Sequence, residues 1–213
     1  MSAKRLLVQL ALICVVCAPW DAQSQDSLSA KSYYKRAQIA YDKGEITLAL
    51  ADYNKSISIN PKVAMAYYGR GLALYASGHC DKAIADFDHA IAISARLADA
   101  YNVRGLCWFD AGNVAQAIAD YSTALEISPW LSWVYYNRGI ARAASGDLKG
   151  AIADYSERID FKPRDTSAYE KRGLARLMLH QEKEAKKDFD MCLRLDPRMK
   201  PQLEAAIQQL GAY

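Results

Sequence analysis

Hydrophobic and polar residues recur along this chain of 213 residues with a period of 34, counted from Ala30. In five successive units the twentieth place is alanine and the twenty-fourth is aromatic. These two series are Ala49, Ala83, Ala117, Ala151 and Ala185, and Tyr53, Phe87, Tyr121, Tyr155 and Phe189. A fixed period without gaps predicts a stack of equal structural units in which neighbours complete one another's core.

Each unit is predicted to form two helices joined by a short turn. In the fourth unit, residues 132–144 contain no helix breaker except the small Gly139. Gly146 can adopt the left-handed conformation that closes a helix, and Asp147 can cap the next one. Pro163 then ends the second helix, because proline cannot continue the hydrogen-bond ladder. The pattern therefore predicts helical hairpins.

This unit resembles the tetratricopeptide repeat in its length of 34 residues, in Gly or Ala at the eighth place and Ala at the twentieth, and in its aromatic and proline positions. The resemblance covers Ala30 to Met199. The departures are Ala37 for glycine, Ala95 for proline, Arg158 for a small residue and His180 for the turn glycine. We expect them to loosen single units, with a looser or reshaped turn at His180. The resemblance implies a right-handed superhelix whose first helices line a concave groove.

The predicted fold class is all-α, an α-solenoid of five tandem helix-turn-helix repeats with a C-terminal capping helix. The repeats span residues 30–63, 64–97, 98–131, 132–165 and 166–199, and the cap spans residues 200–213. In the cap, an apolar face is formed at helical spacing by Leu203, Ala206, Ile207 and Leu210. We expect this face to cover the last repeat.

The N-terminal residues differ in kind from the repeats. Lys4 and Arg5 precede an apolar run, Leu6 to Ala18, which is shorter than the roughly 20 residues of a membrane-spanning helix. This order is typical of a secretory signal, and small residues favour cleavage after Ser24. We predict a signal peptide at 1–24, a polar linker at 25–29 and an exported protein, periplasmic or secreted, without a membrane span in the mature chain. An uncleaved short anchor is the alternative.

The charge and the residue motifs of the sequence argue against nucleic-acid binding and against catalysis. The formal net charge of +3, with both signs interspersed, gives no strong basic field and argues against a nucleic-acid partner. His79 and His180 stand at turns of different units, and His89 lies ten residues after His79, near the end of a second helix. No nucleophile motif or phosphate-binding loop occurs, so we expect no enzyme activity, metal or cofactor. A disulfide between Cys80 and Cys107 is conceivable in an oxidising compartment.

A second stripe on each first helix runs through the second, fifth, ninth and twelfth places. The family resemblance places this stripe on the concave surface. Together with nearby polar residues it supplies the binding candidates Tyr34, Tyr41, Met65, Tyr68, Tyr75, Asn102, Phe109, Trp133, Tyr136, Asn137 and Lys171. The ninth-place residues Leu72, Leu106, Ile140 and Leu174 are expected to pack partly against the neighbouring unit.

An exposed aromatic stripe favours a protein or peptide partner, held as an extended peptide or a helix. We therefore predict a non-enzymatic interaction scaffold or adaptor of the cell envelope. A module that binds glycan or peptidoglycan fragments, and a self-associating structural subunit, are the alternatives.

Arginine at the seventh place and aspartate at the twenty-third recur in every unit, as in Arg70 and Asp86. A residue that folding requires recurs in every unit, whereas a binding residue usually varies between units. We therefore expect these residues to form structural ion pairs or helix-terminus hydrogen bonds. The sequence leaves open whether they pair within a unit or between units.

Overall fold

The computed structural model describes the backbone of residues 20–211 and the side chains of residues 29–211. This part of the chain is helical throughout, with short connections. The helices are α1 (Trp20–Asp42), α2 (Ile46–Ile59), α3 (Ala64–Ala76), α4 (Cys80–Ile93), α5 (Ala98–Asp110), α6 (Val114–Ile127), α7 (Ser132–Ala144), α8 (Leu148–Phe161), α9 (Thr166–Met178), α10 (Glu182–Leu195) and α11 (Lys200–Gln209), with a 3-10 turn at Pro197–Met199. The prediction of an all-α solenoid of paired helices with a closing helix is confirmed.

The turn inside the fourth hairpin follows the predicted chemistry. Gly146 has a φ of 87°, and the backbone N–H of Asp147 donates to the carbonyl of Arg142 at 2.9 Å, which closes α7. The Asp147 carboxylate in turn accepts from the backbone N–H of Gly150 at 2.9 Å and caps α8. These two local devices reverse the chain between the helices.

The fifth turn keeps the same shape although a histidine occupies the glycine position. His180 has a φ of 57°, and the backbone N–H of Gln181 donates to the carbonyl of Arg176 at 2.9 Å, as in the fourth turn. The expectation of a looser or reshaped turn is therefore wrong. The packing of α9 against α10 holds the histidine in the left-handed region, where a side chain is tolerated at a cost in strain.

The other departures from the repeat pattern also leave the hairpins intact. Helices α2, α4, α6, α8 and α10 each contain 14 residues, and α3, α5, α7 and α9 each contain 13. Arg158, placed where the family has a small residue, donates to the Asp165 carboxylate at 2.7 Å and to the Ser132 hydroxyl at 2.8 Å. The expected loosening of single units does not occur in these elements.

The core of hairpins two to five depends on contact between a ring and a glycine. In the fourth hairpin Tyr155 is 1% exposed, and a Cβ added to Gly139 would lie 2.7 Å from its Cε1. Real Cβ atoms do not approach a ring that closely, so the helices can pack at this separation only where the eighth place has no side chain. Gly71, Gly105 and Gly173 face their own twenty-fourth-place rings in the same way.

The first hairpin has Ala37 instead of glycine at the eighth place, and its aromatic ring packs differently. Ala37 is fully buried in one cluster with Tyr53, so its methyl group occupies the space that glycine leaves open elsewhere. The Tyr53 ring instead lies against Gly69 of the next hairpin, where an added Cβ would meet the ring Cζ at 2.5 Å. The corresponding residues of later hairpins, Val103 and Asn137, carry side chains. Gly69 therefore compensates for Ala37.

The recurring arginine and aspartate pair within their own hairpin. Arg138 donates to both Asp154 oxygens at 3.0 and 2.8 Å, and its guanidinium lies 5.7 Å from the centre of the Tyr135 ring. The third guanidinium nitrogen reaches the preceding hairpin, where it donates to the Ser122 hydroxyl at 3.1 Å. All five arginines bind their own aspartate in this way, and those of hairpins two to five also reach back, Arg70 to Asn54, Arg104 to Asp88, Arg138 to Ser122 and Arg172 to Ser156. The prediction of a structural role is confirmed.

Helix α11 closes the C-terminal end of the stack by packing on α9. Leu203 and Ile207 are buried, Ala206 is half-buried and Leu210 is 39% exposed, so the apolar face covers the last repeat except at its end. Gln202 donates to the Glu170 carboxylate of α9 at 3.2 Å.

The predicted signal peptide lies mostly outside the described residues, because nothing is described before Trp20. The boundaries at 1–24 and 25–29, and the cleavage after Ser24, remain predictions. Among residues 20–211, no helix combines the length and the hydrophobicity that crossing a membrane requires.

Candidate functional site

The curvature of the stack places the first helices on its inner side. Helices α1, α3, α5, α7 and α9 contact one another in sequence, whereas the second helices of neighbouring hairpins do not make contacts of that extent in the described chain. A stack bends toward the side on which its elements approach most closely. The candidate site is therefore the surface of the first helices, called here the groove stripe, at the second, fifth, ninth and twelfth places.

Three fifth-place tyrosines are held by the core beneath them. The rings of Tyr34, Tyr68 and Tyr136 lie 6.1, 6.0 and 5.9 Å from the twenty-fourth-place rings of their own hairpins, tilted by 52–56°. This tilted contact is a favourable arrangement of two aromatic quadrupoles. Each tyrosine is half-buried, so one side of the ring is fixed and the other faces the groove.

Tyr34 and Tyr41 of the first hairpin lie near Tyr68 of the second hairpin. Burial raises the pKa of Tyr68 to about 12, with smaller contributions from the nearby Asp99 carboxylate, Tyr41 and Tyr34. Burial likewise raises the pKa of Tyr75, and the Asp110 carboxylate beside it acts in the same direction. Three of the four tyrosines predicted from the first two units therefore lie near one another, and Tyr68 and Tyr75 each lie near an acidic side chain.

Met65 and Trp133, at the second place, are the most accessible of the predicted binding residues. Met65 is 40% exposed in the first turn of α3, and Trp133 is 46% exposed in the first turn of α7. Phe109 is half-buried and packs against the core of the third hairpin. The ninth-place Leu72 and Leu106 are also half-buried against core clusters, as expected.

The three polar candidates already have partners inside the protein. Asn102 is only 7% exposed, and its side-chain oxygen accepts from the Asn137 amide at 3.1 Å across two hairpins. The Lys171 ammonium lies 3.6 Å from the Glu170 carboxylate. A partner molecule would have to compete with these contacts, so Asn102 is the least accessible of the predicted binding residues.

Sequence reasoning missed Glu170 as a structural element of the groove. Its side chain is 3% exposed at the fifth place of the last hairpin, where earlier hairpins have tyrosine or asparagine. Lys171 and Gln202 surround the carboxylate, so α11 contributes a polar contact to the end of the groove stripe. The only available signal was an acidic residue at a place that is otherwise uncharged.

The two cysteines of the predicted disulfide are free thiols that lie together. Burial raises the pKa of the Cys107 thiol, and a hydrogen bond with the Cys80 thiol adds to the effect. Among the described residues, no group of three or more His, Cys, Asp or Glu side chains is arranged to hold a metal ion.

Two protein-family models match the repeats. A model described as TPR repeat matches residues 37–78, and a model described as tetratricopeptide repeat matches residues 68–129. The comparison with curated proteins gives no match.

Solved structures share the architecture at low sequence identity. YrrB, described as a TPR protein with an unusual peptide-binding site, is 20% identical with a TM-score of 0.75, covering 86% of this chain and 95% of that chain. MamA of Desulfovibrio magneticus RS-1 is 19% identical with a TM-score of 0.75 and coverage of 80% and 96%. PilF of Pseudomonas aeruginosa is 15% identical with a TM-score of 0.70 and coverage of 87% and 92%. The two family models thus match tetratricopeptide repeats within residues 37–129, and these solved structures share the stacked-hairpin fold.

Proposed function

We propose that this protein is a non-enzymatic scaffold or adaptor that holds a peptide or helix of a partner protein against its groove stripe. The observation that carries the proposal is the row of aromatic side chains along the first helices, fixed from below by core rings. Tyrosine and tryptophan are favoured at interfaces because they bury a large area with few rotatable bonds.

Similarity in fold adds support of a general kind. YrrB is described as a peptide-binding TPR protein and shares the stacked-hairpin architecture. The residues at the second and twelfth places vary along the stack and are aromatic in only some hairpins, whereas the structural Arg–Asp pair is the same in all five. Variation at these places fits a surface that recognises a particular partner.

The test uses two tryptophans that are three residues apart. A peptide selected from a displayed library by the full chain is titrated by fluorescence anisotropy against Trp133→Ala and Trp130→Ala. Trp133 belongs to the groove stripe, and Trp130 is a 67% exposed tryptophan outside it. Loss of a central aromatic contact costs about 2 kcal/mol or more, so Trp133→Ala should weaken binding about 30-fold or more. Trp130→Ala should bind normally, and equal affinity of all three proteins would exclude the groove stripe.

We also propose that the protein works outside the cytoplasm, in the cell envelope or beyond it. This proposal rests on the charged start and apolar run of the sequence. Alkaline phosphatase, which is active only after export, is fused after Asp26. The natural fusion should be active, and Leu12→Arg, which interrupts the apolar run, should abolish the activity. An inactive natural fusion, with the protein present, would contradict export.

A further inference from the structure

The two edges of the stack carry opposite charge. Because each hairpin is antiparallel, the turns inside hairpins lie on one edge and the segments between hairpins lie on the other. In the five turns (42–46, 76–80, 110–114, 144–148 and 178–182), acidic residues outnumber basic residues by five to one. In the five connecting segments (60–64, 94–98, 128–132, 162–166 and 196–200), called here the connecting edge, basic residues outnumber acidic residues by six to two.

The connecting edge carries a basic residue in four of its five segments, and the third segment has a tryptophan instead. The thirty-third place of the unit is exposed in all five hairpins and is occupied by Lys62, Arg96, Trp130, Arg164 and Arg198. The two acids of this edge are already neutralised, Asp165 by Arg158 at 2.7 Å and Asp196 by Arg198 at 2.9 Å. By contrast, the side chains of Lys62, Arg96 and Arg164 form no ion pair with any residue between 29 and 211.

Exposed apolar side chains lie among these cations. Trp130 is 67% exposed, and at the ends of the second helices Ile93 is 42% and Phe161 is 48% exposed. All three lie outside the groove stripe. A row of unpaired cations interspersed with exposed apolar side chains matches the interface of an anionic bilayer, where phosphates lie above acyl chains and indole rings are favoured.

We propose that the connecting edge docks on a membrane surface containing anionic phospholipids, with Trp130 placed among the headgroups. This mode leaves the groove stripe free and does not depend on the proposed peptide function. A bilayer fits better than a single-stranded nucleic acid, because nucleic acids are held in grooves lined by aromatic platforms, whereas Ile93 offers no ring for base stacking.

The experiment measures sedimentation of the full chain with vesicles of phosphatidylcholine, with and without phosphatidylglycerol. All variants share the same N-terminal residues, so comparison of each variant with the natural chain cancels the contribution of Lys4, Arg5 and the apolar run. We expect tighter binding to the anionic vesicles, and Arg96→Glu with Arg164→Glu should lower that binding about 30-fold, from the usual contribution of two basic residues near an anionic leaflet. High salt should have a similar effect because it screens exposed charges.

The matched control is Lys43→Glu with Lys149→Glu, which changes the net charge equally on the opposite edge. It should retain most of the anionic preference. The chain has four tryptophans, and the proposal places Trp130 among the headgroups. Trp130→Phe should therefore remove most of the blue shift in tryptophan emission that accompanies vesicle binding. The proposal is overturned if both charge variants lose binding equally, if Trp130→Phe keeps the shift, or if the chain binds single-stranded nucleic acid while showing no preference for anionic vesicles.

Discussion

The compensation between Ala37 and Gly69 can be tested by exchanging the two residues. Ala37→Gly restores the glycine that every later hairpin has at its eighth place. Gly69→Ala restores a Cβ at the place where the later hairpins have one. Each change alone should destabilise the protein, and the two together should be tolerated, because the Tyr53 ring can then adopt the position that its equivalents occupy.

The contact distances set the size of the effect. In Gly69→Ala the new Cβ would lie 2.5 Å from the Cζ of a ring that is 2% exposed, and overpacking of this kind costs about 1–3 kcal/mol. Removal of a glycine from a helix interior returns about 1 kcal/mol, which leaves a net loss of about 2 kcal/mol at the upper end. Ala37→Gly loses a similar amount through helix propensity and a methyl-sized void.

The assay is urea unfolding of the four proteins in a double-mutant cycle, with helicity and tyrosine fluorescence as two probes of cooperativity. We expect a favourable coupling of about 2–4 kcal/mol, which corresponds to roughly 4–16 °C in melting temperature for a chain of this size. The matched control combines Ala37→Gly with Gly71→Ala. Gly71 faces Phe87 rather than Tyr53, so these two losses should add. Additivity of the Ala37 and Gly69 changes within about 0.5 kcal/mol would refute the reasoning.

Three other consequences of the structure are open to measurement. In urea unfolding, Asp154→Asn should lower the free energy of unfolding by about 3 kcal/mol, and Asp52→Asn should lower it by about 1 kcal/mol or less. The reason is that two half-buried arginines bind Asp154, whereas one largely exposed arginine binds Asp52. Equal losses of stability in the two variants would contradict this explanation. Burial raises the pKa of Tyr68 to about 12, so this tyrosine ionises at a lower pH in the unfolded chain than in the folded protein. Stability should therefore fall as the pH rises from about 10 through 12, and Tyr68→Phe should make that fall smaller. Parallel profiles of stability against pH for the two proteins would exclude this contribution of Tyr68. Oxidised glutathione should join Cys80 to Cys107 in a disulfide, with release of two reduced glutathiones. Because the pKa of Cys107 is raised, the reaction should be slower at about pH 7 than at about pH 9. Intact-mass analysis that shows both thiols unchanged would count against this disulfide.

Much of the binding surface could be placed from the sequence, but its accessibility could not. The helical period put the tyrosines of the first two repeats on one stripe, and the structure places Tyr34 and Tyr41 near Tyr68. The same period placed Asn102 on the stripe without showing that Asn137 holds it. That hydrogen bond joins residues 35 positions apart, and its formation depends on how two helices of different hairpins are oriented.

The sequence by itself determined the number of hairpins, their turns and their closing helix. These features follow from local preferences repeated in register, such as glycine in a left-handed turn, which four of the five hairpins have, and apolar residues at helical spacing. Only the tertiary structure decided which residues meet across those helices. It showed that the arginines bind both their own aspartate and the preceding hairpin, that Gly69 makes room for Tyr53, and that packing holds His180 in a glycine-like turn. Such contacts depend on the spacing between packed helices, which no single segment of sequence encodes.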